Sequence, residues 1–149
     1  MCYLAGMAPT KEELVGSLQN EIRILLHLIS KIDQAQLDYR PTAKQRSTME
    51  LLRYLSIMGP NLIPAVKTGK FDGAAWGVTE AAAKVKSFEQ IVADIEKQAA
   101  MYGSELGAMS EAELGEQIEM FGRPTSRGAH IVNMVLCDMP RIARSYSAT

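Results

Sequence analysis

The chain has 149 residues, 47% of them hydrophobic and 22% charged, which suits one soluble globular domain able to bury its own core. A formal net charge of −1, with 16 scattered basic residues, excludes the electrostatic footprint of a nucleic-acid binder. No hydrophobic run approaches the roughly 20 residues needed to span a bilayer, and two cysteines without CxxC spacing, Cys2 and Cys137, suggest a reducing, cytoplasmic setting.

Residues 1–9 carry neither a basic leader nor a long apolar segment and are expected to form a loose arm on a single domain spanning 1–149. Four helix starts come next, each a Ser or Thr with Glu or Gln three residues on: Thr10 with Glu13, Ser47 with Glu50, Ser87 with Gln90, and Ser110 with Glu113. This pairing satisfies two otherwise orphaned amides at a helix N-terminus. After Thr10, Val15, Leu18, Ile22, Leu25, Ile29 and Ile32 alternate steps of three and four, the seam of a bundle helix. The second helix runs through Leu51, Leu52, Leu55 and Met58, then meets Gly59, Pro60 and Pro64. Proline lacks an amide proton and crowds the preceding turn, so a break or kink is expected near Gly59, with a further helical piece to about Lys67.

Residues 69–86, rich in Gly and Ala and carrying Trp76, read as a long irregular connection before the third helix. That helix starts after Ser87 and runs through Phe88, Ile91, Ile95, Ala99, Tyr102 and Leu106. Ser110 opens a short helix reaching roughly Met120, ahead of a turn at Gly122 and Pro124. A last long helix after Ser126 carries Ala129, Val132, Met134, Val135, Met139, Ile142 and Ala143. No strand-like alternation of any length competes, so the expected fold is all-α, an up-down four-helix bundle with a kinked second helix.

On the last helix, His130, Met134, Cys137 and Arg141 are spaced by four, three and four residues, which at about 100° per residue keeps them in one narrow sector. A site could be built there. His130 and Cys137 are nevertheless two turns, or about 10 Å, apart along the axis, too far to share one ion without a helix break, and Pro140 lies after both. The plainer expectations are a packed Cys137, a partly buried His27 and His130 bonded to neighbours, and Asp138 paired with Arg141 or Arg144. Arg141, one turn from Cys137, could also stabilise a reactive thiolate there.

The segment Leu37-Asp38-Tyr39-Arg40-Pro41, then Ser47-Thr48-Met49-Glu50-Leu51-Leu52-Arg53-Tyr54-Leu55, resembles the DinB-like (YfiT-like) damage-inducible four-helix bundles. The likeness lies in an arginine-proline turn and then a serine-capped helix with a leucine pair, and covers roughly residues 10–145. It implies homodimers and a nickel or zinc ion held by three histidines, one on the second helix and two at i, i+4 on the last. It also implies transfer of small thiols or metal-dependent hydrolysis.

Carried over residue by residue, the ligand positions fall on Tyr54, Cys137 and Arg141, none of them histidine. A guanidinium keeps its proton and repels a cation, so the resemblance implies a member without the metal and with no other cofactor. The leading expectation is a small anion or carboxylate bound by Tyr54, Cys137, Arg141 and His130, with Arg141 in the cation's place and Tyr54's hydroxyl finding a partner near it. Two alternatives stand: a metal-dependent thiol transferase or hydrolase with atypical ligands, and a non-catalytic dimeric interaction protein. For a dimer, Ile57, Leu62, Ile63 and Trp76 around the irregular second helix offer apolar surface.

Overall fold

The computed structural model describes residues 9–140. These residues are mostly helical, with one small two-stranded sheet. The long helices are α1 (Lys11–Ile29), α2 (Thr48–Thr68), α3 (Gly73–Lys84) and α4 (Phe88–Gly107). Then come a single turn of helix, α5 (Glu111–Gly115), strands β1 (Gln117–Met120) and β2 (Arg123–Ser126), and α6 (Arg127–Ile131), which runs on into a wide π turn at Val132–Leu136. The expected arm at 1–9 falls almost wholly outside the described residues. Among the described residues, no helix is long and apolar enough to cross a membrane.

All four capping boxes form, with both reciprocal hydrogen bonds present at Thr10/Glu13, Ser47/Glu50, Ser87/Gln90 and Ser110/Glu113. The seam of α1 buries Leu14, Leu18, Ile22, Leu25 and Ile29, with Leu14 taking the first place expected for Val15. It packs along α4, which buries Ile91, Ile95, Tyr102 and Leu106. α2 lies between α3 and α4, and the π turn touches both α1 and α2. Each fully buried Leu or Ile contributes about 1.5–3 kcal/mol, so the α1–α4 seam is a main source of stability.

Three expectations need correction. Of the break or kink expected near Gly59, the break does not occur: α2 is one continuous helix through Pro60 and Pro64, and the helical piece expected to about Lys67 runs to Thr68. Pro60 cannot donate to the Ser56 carbonyl, and Gln98 from α4 does so instead, its Nε2 lying 3.2 Å from Ser56 O and 2.9 Å from Leu55 O. Gly59 serves a close approach, because a Cβ there would meet the Tyr102 hydroxyl and would lie 2.8 Å from Gln98 Oε1.

Residues 69–86 are not an irregular connection, since α3 occupies most of them. The Asp72 side chain caps it by accepting from the Ala75 amide at 2.9 Å, and the alanines at 74, 75, 81, 82 and 83 outweigh Gly73 and Gly77 in helix propensity. Ala83 is the one buried residue of α3, and the helix leans on α2 through Asn61 Nδ2, which donates to Thr79 Oγ1 at 2.9 Å.

The helix from Ser110 ends at Gly115, and a hairpin takes the place of its expected run to Met120. β1 and β2 pair antiparallel with Gln117 opposite Ser126 and Met120 opposite Arg123. Phe121 and Gly122, with φ of 52° and 72°, supply the positive φ that two-residue hairpin turns require. Ser126 then caps the last helix as expected, accepting from the Ala129 amide at 3.2 Å.

Candidate functional site

A cavity of about 350 Å³ opens where the turn before α2, one face of α2 and one face of α3 meet. Arg46 comes from the turn; Glu50, Arg53, Tyr54 and Ile57 come from α2; Glu80, Ala83 and Lys84 come from α3. Helical spacing explains the grouping, since positions i, i+3, i+4 and i+7 of α2, and i, i+3 and i+4 of α3, each share a face. The floor is apolar, with Ile57 and Ala83 both buried, and Tyr54 forms a wall. The Arg46 guanidinium carbon sits 4.4 Å from the centre of the Tyr54 ring, where the electron-rich face attracts the cation. Trp76 from α3 tilts against the same ring at 6.0 Å between centroids.

Glu50 is already engaged. Arg40 grips both its oxygens at 2.7 Å, and the same carboxylate accepts from the Ser47 amide at 2.9 Å to close the capping box. The Arg40 bond, then the Ser47 amide, hold the Glu50 carboxyl below its ordinary value. The arginine-proline turn thus clamps the start of α2, helped by the Met49 amide donating to Leu37 O and the Thr48 amide to Tyr39 O. Because the folded state lowers this pKa, the clamp's stability is present above the unfolded carboxyl pKa and fades as pH falls through the folded one. Glu50→Gln is accordingly expected to melt below wild type at neutral pH, with the two curves converging in acid; thermal melts across that range check it.

Arg53 differs from Glu50. Its Nε is buried without a hydrogen-bond partner among the described residues. A buried donor left unmade costs about 1–3 kcal/mol, and more when the group is charged, so the cavity holds a cation whose hydrogen bonding is incomplete. Arg53, Glu80 and Lys84 also make no ion pair with any described residue. A second cavity of about 290 Å³, on the other side of the α2–α3 contact, has its charges matched: Asp94 in its lining lies 2.5 Å from Lys86 and 3.8 Å from Lys97.

Of the described residues expected to form the site, Tyr54 alone lines the Arg53 cavity. His130 is 3% exposed, and its Nε2 lies 3.3 Å from Ile118 O, so the ring ties α6 to β1. Cys137 packs partly buried against the core, as expected, but it is disulfide-bonded, so it offers no thiolate, and cysteine usage no longer argues for a reducing compartment. Arg141 lies outside the described residues, as does Arg144. The expected narrow stripe is also disturbed, because the Cys137 amide donates to Val132 O at 2.8 Å, an i to i+5 bond. One residue inserted per turn rotates the downstream side chains by about 100°, and this wide turn falls directly ahead of Pro140, whose ring crowds the Leu136 carbonyl. His27 is exposed in the last turn of α1 rather than partly buried. Ile57, Leu62 and Ile63, considered for a dimer face, are buried in the chain's own core.

Tyr54 and Cys137 do not fit a divalent metal: the Tyr54 ring already carries the Arg46 cation, and the Cys137 sulfur is in a disulfide. Among the described residues, no group of three His, Cys, Asp or Glu side chains could hold a metal ion. Sequence reasoning overlooked Arg46, Arg53, Glu80 and Lys84. The available signal was a charged pair, Glu50 and Arg53, on the same face of α2 as Tyr54. No family model matches the chain, and no curated protein matches it.

Proposed function

We propose that this chain is a DinB-like, metal-free helical-bundle protein that binds a small carboxylate or related anion in the cavity beside Tyr54. The observation that carries the reading is Arg53, which lines the cavity with Arg46 and Lys84 and whose side chain makes no hydrogen bond or ion pair with any described residue. A carboxylate can accept from a guanidinium through two parallel bonds, which the two Nη groups of Arg53 would supply while its enclosed Nε stays out of reach. A volume of about 350 Å³ sits at the small end of ligand sites. The bundle architecture is supported by α1 against α4, α2 against α4 and the last helix against α1 and α2, and a bend in α2 by Gln98 reaching its carbonyls at Pro60. The homodimer belongs to the same reading, with Ile24 and Leu28, exposed one turn apart on α1, as apolar surface.

Calorimetric titration with small carboxylates tests the binding. Arg53→Met is expected to weaken it about 10- to 100-fold, the value of a charged hydrogen bond, while leaving the circular dichroism of the fold in place. Binding that survives Arg53→Met but is lost in Arg141→Ala would overturn this placement and put the anion at Arg141 instead.

A further inference from the structure

Resting on that reading of the cavity, we infer that its ligand is a zwitterion, an α-amino acid or similar small aminocarboxylate, whose carboxylate meets Arg53 and whose ammonium meets Glu80. The lining carries both signs of charge, on two elements that face each other. Arg53 stands on α2 and Glu80 on α3. Glu50, the other carboxylate of the lining, is bound at both oxygens by Arg40, whereas Glu80 makes no ion pair with any described residue. Lys84, one turn along α3, does not come within ion-pair distance of Glu80, and exposed pairs at that spacing are weak.

Inorganic phosphate would be drawn to the cations of the lining but would leave Glu80 beside an anion with nothing to match it. A simple carboxylate would satisfy Arg53 and leave Glu80 facing the ligand's apolar body. An aminocarboxylate matches both charges at once, and its side chain would lie on the apolar surface of Tyr54, Ile57 and Ala83.

The test is calorimetry on the full chain with three ligands of one skeleton: phenylalanine, hydrocinnamate, which lacks the amine, and phenethylamine, which lacks the carboxylate. Leucine, isocaproate and isoamylamine form the parallel set. The amino acid is expected to bind about fivefold more tightly than its deaminated acid, the scale of one exposed ion pair, with the amine weakest. Glu80→Gln, at an exposed position, is expected to erase the gap between amino acid and acid without affecting the acid. Equal affinity of amino acid and acid in the wild type, with both weakened by Arg53→Met, would overturn the zwitterion and leave the carboxylate site standing. A gap that persists in Glu80→Gln would overturn the assignment of the ammonium to Glu80. Failure of all three ligands in both sets would overturn the site itself.

Discussion

Gly59→Ala is expected to destabilise the chain by about 3 kcal/mol, the upper part of the range for overpacking a tight interior. An ordinary glycine-to-alanine change inside a helix does the reverse, improving stability by roughly 0.5–1 kcal/mol. The sign changes here because α4 presses directly on this turn of α2. A Cβ at Gly59 would collide with the Tyr102 hydroxyl and would stand 2.9 Å from Tyr102 Cζ and 2.8 Å from Gln98 Oε1, so two buried side chains would have to shift together. Tyr102 is 0% exposed and Gln98 2%. The phenol is kept there as a neutral donor, since burial pushes its pKa well above the ordinary value. Adding Tyr102→Phe removes the colliding oxygen, so the double variant is expected to recover a sizeable part of the loss, although Tyr102→Phe alone is destabilising. Urea unfolding of the four members of this cycle measures the coupling. Simple additivity would show that the contact between α2 and α4 is not what makes Gly59 necessary.

The elements that could be read from the residues are those in which local chemistry and tertiary packing agree. The four capping boxes and the apolar seams of α1 and α4 are written in spacing alone; the boxes form as written, and the seams form with Leu14 in place of Val15 and with Ile32 beyond the end of α1. The failures occur where a distant partner overrides a local rule. Proline in α2 reads as a helix breaker only until Gln98, thirty-eight residues beyond Pro60, supplies the donor that Pro60 lacks. The strands of the hairpin are four residues each, Gln117–Met120 and Arg123–Ser126, too short for alternation to be distinguished from a helix end. For the cavity, Tyr54 is named in advance only through the resemblance, which sets a ligand position on the second helix, and its neighbours are not named at all. Reading residues 69–86 as a connection removed Glu80 and Lys84 from any face they could share. Arg53 looked like an exposed charge because nothing in the sequence shows that its Nε is enclosed.

Gln98→Leu is expected to lower stability by about 3 kcal/mol, although it keeps the volume of the side chain and adds apolar atoms to a buried position. The loss comes from groups left behind. Tyr102 Oη donates to Gln98 Oε1 at 2.9 Å, and without that oxygen a fully buried phenol keeps an unmade bond. On the α2 side, the Ser56 carbonyl loses the Nε2 donor, and Pro60 has no amide to replace it, whereas Leu55 O still faces the amide of Gly59. One buried donor and one buried acceptor are thus stranded, at about 1–3 kcal/mol each before relaxation. A second substitution separates stranded hydrogen bonds from mere loss of packing. Pro60→Ala returns an amide to the Ser56 carbonyl, so it should stabilise the Gln98→Leu variant by about 1 kcal/mol more than it stabilises the wild type. Equal effects in the two backgrounds would mean that Gln98 is held in the core for its shape, and that the helix passes Pro60 without needing a donor from α4.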